Sequence, residues 1–182
     1  SIRVDDVKLT GTAGASPSIT PSVASLTGFN YVFGFGPSAS QSFTFTGADL
    51  TGFPGVITVD AGVTAYEVST DNTNFFSSVT YNFTGAILAA QTVHIRLKAS
   101  QAVANYNLQA IAITGGGASA GITASGNVDP AVPSITVGAL TPTNIFSTPV
   151  GTPSAASTFT VTGINLTDPL TVSAVAGYEY SD

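Results

Sequence analysis

Few residues in this sequence could carry chemistry. Among 182 residues there is one histidine, His94, and there is no cysteine or methionine. Nucleophilic catalysis of the Ser-His-acid kind needs an imidazole within hydrogen-bond reach of a hydroxyl, and a carboxylate to orient it. His94 lies in TVHIRLK (92–98), where strand alternation puts it on the outward parity with Thr92 and Arg96. With Thr92 and Arg96 as its neighbours on that face, His94 is read as a solvent-facing strand residue. Glycoside hydrolysis needs two carboxylates about 5–10 Å apart. Asp60, Glu67 and Asp71 are the candidates, but Glu67 has a counterpart in Glu179 and is read as serving the fold. Asp71-Asn72-Thr73-Asn74 offers the oxygens that calcium takes, yet these are also turn formers, and a turn is the simpler reading. Asp5 and Asp6 are adjacent on a strand, so they point to opposite faces and cannot work as a catalytic pair. No enzymatic activity is expected. One binding chemistry remains: Phe29, Tyr31, Phe33 and Phe35 share one strand parity. Such a stripe reads first as core, since each ring can bury some 150–250 Å². Its other use would be a platform for sugar rings, with Tyr31, Phe33, Phe75 and Tyr106 as the exposed aromatics.

These side chains must be positioned by strands. Charged residues make up 8% of the chain and hydrophobic ones 43%, and apolar residues alternate with Thr and Ser. That is the pattern of half-buried strands with a hydroxylated outer face. No run approaches the roughly 18 apolar residues of a membrane span, so no membrane insertion is expected. The net charge is −6, and the basic residues are Arg3, Lys8, Arg96 and Lys98. This argues against nucleic-acid binding and against docking on anionic lipid. The chain opens directly in a strand-like pattern without a signal peptide, which is expected of a mature or truncated chain.

One stretch is written twice. Residues 36–52 read GPSASQSFTFTGADLTG and residues 152–168 read TPSAASTFTVTGINLTD. The offset is a constant 116 residues from Pro17 (against Pro133) to Gly52 (against Asp168). One period is a common domain size. The sequence therefore divides into a terminal strand of a preceding domain (1–12), a linker (13–18), a β-sandwich (19–128), a Pro-containing linker (129–133) and the first half of a second sandwich (134–182).

Within the first sandwich, strands are expected at 56–59, 65–69, 78–83, 92–98 and 106–113, with a closing strand at 118–128. Phe43 and Phe45 alternate with Ser42, Thr44 and Thr46 in another. Gly115-Gly116-Gly117 reads as a hairpin turn. Eight to nine short strands at this spacing give an all-β sandwich, with essentially no helix.

The succession SLTGF, SFTFTGADLTG, YEVSTD, VHIRLKA and SGNV resembles tandem immunoglobulin-like repeats of very large secreted and cell-surface proteins of Bacteroidota-type bacteria. The resemblance covers residues 17–128 and 133–182. It implies immunoglobulin-like sandwiches, export by a type IX secretion route, an extracellular or cell-surface location, and a spacer, stalk, filament or adhesin role. Ala65 precedes Tyr66 where that family favours Gly, whereas Gly177 precedes Tyr178. Separately, VDDVKLTGT near the start resembles the closing strand of calcium-dependent jelly-roll domains of the carbohydrate-binding or anchor type. That resemblance implies that Asp5 or Asp6 ligates a structural calcium of an upstream domain; otherwise no cofactor is expected. The expected partners are neighbouring domains of the same chain, or neighbouring copies in a fibre. The alternative function is an accessory carbohydrate-binding module of a secreted multi-domain hydrolase, with polysaccharide as its ligand.

Overall fold

The computed structural model describes residues 14–143 and 146–181. The expected first strand, with Asp5 and Asp6, lies outside the described residues. The chain separates into two compact units, one ending at Pro130 and the other beginning at Ala131. Among the described residues there is no helix.

The first unit is two sheets around one core. Its strands are β1 (Ser18–Pro21), β2 (Ser25–Val32), β3 (Gln41–Ala48), β4 (Gly55–Asp60), β5 (Tyr66–Ser69), β6 (Ser78–Phe83), β7 (Leu88–Leu97), β8 (Ala104–Gly115) and β9 (Ala118–Asp129). A four-stranded sheet runs β1-β3-β7-β5 and a five-stranded sheet runs β2-β9-β8-β4-β6. Every ladder is antiparallel except β2 with β9, which is parallel.

The period-2 pattern decides which residues enter the core. In β7, Val93, Ile95 and Leu97 are fully buried, and Thr92, His94 and Arg96 point the other way. Phe43 and Phe45 of β3 join them, facing Ile57 and Val59 of β4, Ile111 and Ile113 of β8, and Ile122 and Ala124 of β9 in one continuous cluster. Each fully buried aliphatic or aromatic side chain contributes about 1.5–3 kcal/mol. The core also holds three phenols, and each hydroxyl has a partner. Tyr31 donates to the Lys98 carbonyl at 2.8 Å, Tyr66 to the Tyr106 carbonyl at 2.9 Å and Tyr81 to the Thr92 carbonyl at 2.6 Å. Burial pushes the Tyr66 and Tyr81 phenols up to about 12. Phe29 meets Tyr66 edge-on, with ring centroids 5.3 Å apart, and Phe45 meets Tyr81 the same way at 5.2 Å, the arrangement favoured by the ring quadrupoles.

The aromatic stripe is cut in two. Phe29 and Tyr31 are buried, but β2 stops at Val32. Gly34 takes a φ of +88°, and the Phe35 N–H donates back to the Val32 carbonyl at 2.9 Å. The chain turns there, so Phe33 and Phe35 leave the core and are exposed.

In the second unit, β10 (Ser134–Val137) pairs with β11 (Val161–Ile164). The register repeats that of β1 and β3 position by position. Ile19 opposes Gly47, and Ile135 opposes Gly163; Thr20 opposes Thr46, and Thr136 opposes Thr162. The hydrogen bond from Ser22 N–H to the Thr44 carbonyl recurs from Gly138 N–H to the Thr160 carbonyl, 2.7 Å in both cases. Asp49 and Asn165 both take positive φ, 53° and 55°. Around Tyr178-Glu179-Tyr180 there is no strand, although the matching Tyr66-Glu67-Val68 forms β5. In the first unit β5 is held by β7, and residues 131–182 contain no sequence like β7.

Candidate functional site

The outward face of β5 and β7 gathers most of the polar residues considered above. Antiparallel pairing sets Glu67 opposite Arg96 and Ser69 opposite His94. The Arg96 Nε donates to Glu67 Oε1 at 2.7 Å, and its guanidinium lies 3.8 Å above the centre of the Phe75 ring. Arginine is suited to this double role, since its plane stacks while its edge donates. The pair is partly exposed, so its contribution is on the order of 1 kcal/mol or less.

Beside it, Ser69 and Asp71 shape the loop leading to β6. The Ser69 hydroxyl donates to Asp71 Oδ1 at 2.8 Å and accepts the Asp71 and Asn72 N–H groups. Asp71 Oδ1 accepts the Thr73 and Asn74 N–H groups, and Oδ2 accepts the Asn74 side-chain amide, each at 2.8 Å. These donors, chiefly those of Asn74, hold the Asp71 carboxyl well below the usual carboxylate range. A serine, a histidine and an aspartate thus come together, a grouping the linear sequence did not announce. Their bonds are those of a turn: the serine hydroxyl donates to the carboxylate, and the imidazole takes no part. General-base activation needs the hydroxyl to donate to the imidazole.

The other carboxylate, Asp60, lies at the end of β4 in the opposite sheet and accepts the Gly62 N–H at 2.6 Å. Among the described residues, no three His, Cys, Asp or Glu side chains converge as metal ligands would.

The four aromatics named as a platform do not meet on one surface. Tyr31 is buried, and its oxygen is used by Lys98 and by the Gln101 N–H, which donates to it at 3.0 Å. Phe75 is half-buried beneath Arg96 on the face of the four-stranded sheet. Tyr106 belongs to the five-stranded sheet, packs against the core and donates to the Ala102 carbonyl at 2.9 Å. Phe33 alone is exposed, beside Phe35 at the end of β2. The turn at Gly34 explains this, and Gly34 in the sequence FGF was the available signal.

The second unit holds a cleft of about 290 Å³ lined by Pro133, Ile135, Leu166, Thr167, Asp168 and their neighbours to Thr171. Sequence reading did not find it, because nothing local marks a cavity. Its residues are nonetheless the 116-offset counterparts of Pro17, Ile19, Leu50, Thr51 and Gly52. No protein-family model matches this chain, and no curated protein matches it.

Proposed function

We propose that the chain is a non-catalytic, extracellular structural or adhesive repeat module of the immunoglobulin-like kind, part of a cell-surface stalk, filament or large secreted adhesin. Two packed sheets of short strands fit the immunoglobulin-like class. The observation that carries the mechanical reading is the parallel pairing of β2 with β9. β2 lies near the start of the first unit and β9 at its end. Tension enters through β1, which is paired with β3, and once β1 yields it pulls the start of β2 one way and the end of β9 the other. In a parallel pair those points lie at opposite ends of the ladder, so the bonds are loaded together in shear and do not open one by one. Such shear loading suits a module joined in series by its ends.

Single-molecule stretching of the whole chain tests the reading. The first unit is expected to yield in one event, releasing a contour of about 400 Å. Thr123→Pro removes the N–H that donates to the Ala24 carbonyl at 3.0 Å and should lower the yield force. Gradual extension without a distinct event would count against a load-bearing role. Surface labelling of intact cells of the source organism checks the location.

A second reading, an accessory polysaccharide-binding module, is favoured by the exposed Phe33 and Phe35 pair. Glycan-array binding that disappears in Phe33→Ala would support it, and binding indifferent to that substitution would remove it.

A further inference from the structure

The cleft of the second unit has a filled counterpart in the first. There the β8–β9 hairpin tip sits on Leu50 and Thr51. The Thr51 N–H donates to the Gly116 carbonyl at 2.9 Å, and the Thr51 hydroxyl reaches the same oxygen at 3.3 Å. The fit leaves no room for side chains on the tip. A Cβ on Gly116 would lie 2.9 Å from Leu50 Cδ2, and one on Gly117 would lie 2.6 Å from Thr51 Oγ1 and 3.3 Å from Pro17 Cγ. Both glycines also take positive φ, 58° and 80°. Leu166, Thr167 and Pro133 stand at the matching positions of the second unit and line its cleft.

We infer that this cleft is a receptor for a β-hairpin with a Gly-Gly tip, of the β8–β9 sequence type. Three observations carry the inference. The β10–β11 register equals the β1–β3 register, so the floor of the cleft is built as in the first unit. The side chains that the hairpin covers in the first unit are bared in the second: Ile19 is 7% exposed and Ile135 55%, and Leu50 is 2% exposed and Leu166 37%. The contact is also selective in kind. In the first unit it takes a carbonyl at the apex for the Thr51 N–H and glycines at both tip positions, and the second unit presents the same Leu-Thr pair with Pro133 beside it. In the first unit β8 and β9 belong to the sheet opposite β1 and β3, so the hairpin docks face to face, and affinity comes from burying the bared apolar side chains together with the one apical hydrogen bond.

The test adds a cyclised peptide spanning residues 110–123 to the isotope-labelled whole chain and follows backbone amides by NMR. Cyclisation is needed because an isolated hairpin is marginally stable. Saturable shifts are expected at Leu166 and Thr167, largest at the Thr167 amide, with Leu50 and Thr51 unmoved. Leu166→Glu should weaken binding about tenfold or more, since it places a charge against the tip. The same titration read at Thr167 in the unaltered chain keeps the test valid if that variant unfolds. Absence of saturable shifts overturns the inference. So does self-association of the chain that the peptide does not compete, because the cleft would then take another occupant.

Discussion

Residues 17–52 and 133–168 are two versions of one stretch, alike at PSIT and again from the Pro-Ser-Ala turn onward, in two settings. In both, the same strands pair in the same register, the same turn adopts positive φ, and the same leucine folds back over a glycine. What differs is what lies above them. Phe43, beside β7 in its own sheet and beneath the opposite one, is 3% exposed, whereas Phe159 is 39% exposed. Pairing and turn geometry are thus specified within some 30 residues of sequence. Burial is specified by strands written 50 to 100 residues further on, in keeping with the cooperative, long-range character of sheet cores.

This contrast can be broken by paired substitutions, with the stability of each unit read by native-state hydrogen exchange on the whole chain. The largest effect is expected for Phe43→Ala, about 3–5 kcal/mol lost from the first unit. Phe159→Ala should change the second unit by no more than about 0.5 kcal/mol. Equal losses would mean that the second unit has a core of its own.

Next in size is Gly47→Ala. Its Cβ would meet Leu50 Cδ1 at 2.7 Å, with Leu50 locked in the core, and overpacking of this kind costs about 1–3 kcal/mol. Gly163→Ala presses on Leu166 in the same way, but Leu166 is exposed and can swing aside, so a smaller loss is expected.

Alkaline pH should single out the first unit. Tyr66 and Tyr81 have folded-state pKa values raised to about 12 from an ordinary 10.0. The neutral phenol is the form the core holds, so the associated stability is intact below pH 10 and declines as pH rises from 10 to 12. Tyr81→Phe should flatten that decline in a urea-unfolding series across this range, and an unchanged decline would exclude Tyr81 as a cause.

The smallest effect is expected to be shared. Asp49→Ala and Asn165→Ala put an alanine at positive φ, at about 1 kcal/mol each. Similar values in the two units would establish the turn as a local device, and a clear inequality would tie it to the surrounding core.

The all-β class and most strands of the first unit were legible. The stretch Ser78–Phe83 is β6 as expected, and TVHIRLK falls in and just past β7, with its apolar parity inward. These succeed because alternation is a one-dimensional signal. The end of β2 was not legible in the same way: strict aromatic alternation runs on through Phe35, while the backbone turns at Gly34 and overrides it. Nor was the parallel partnership of β2 and β9, which depends on sheet topology across some 100 residues. At the polar face, the outward parity of Glu67, His94 and Arg96 was readable, but their juxtaposition required the β5–β7 register. The cleft was unreadable because it is defined by what does not stand over Leu166.

β8 carries one residue too many for its partner. Between Tyr106 and Gln109 it takes three steps while β9 takes two, from Gly126 to Ala124, and Leu108 sits in the excess with a φ of 52° and most of its side chain in water. Since side chains alternate every second residue, that single insertion reverses phase along the strand. Even-numbered Tyr106 and odd-numbered Ile111 and Ile113 can then all turn toward the core. The bulge works as a phase joint. Removing Leu108 would match two steps of β8 to two of β9, so Tyr106 would keep the face of Ile111 and Ile113 and its carbonyl would stay with the Tyr66 hydroxyl. A deletion there would thus be absorbed at the surface, at the cost of the Leu108 N–H bond to the Ser125 hydroxyl, while a second insertion would turn Tyr106 away from the core.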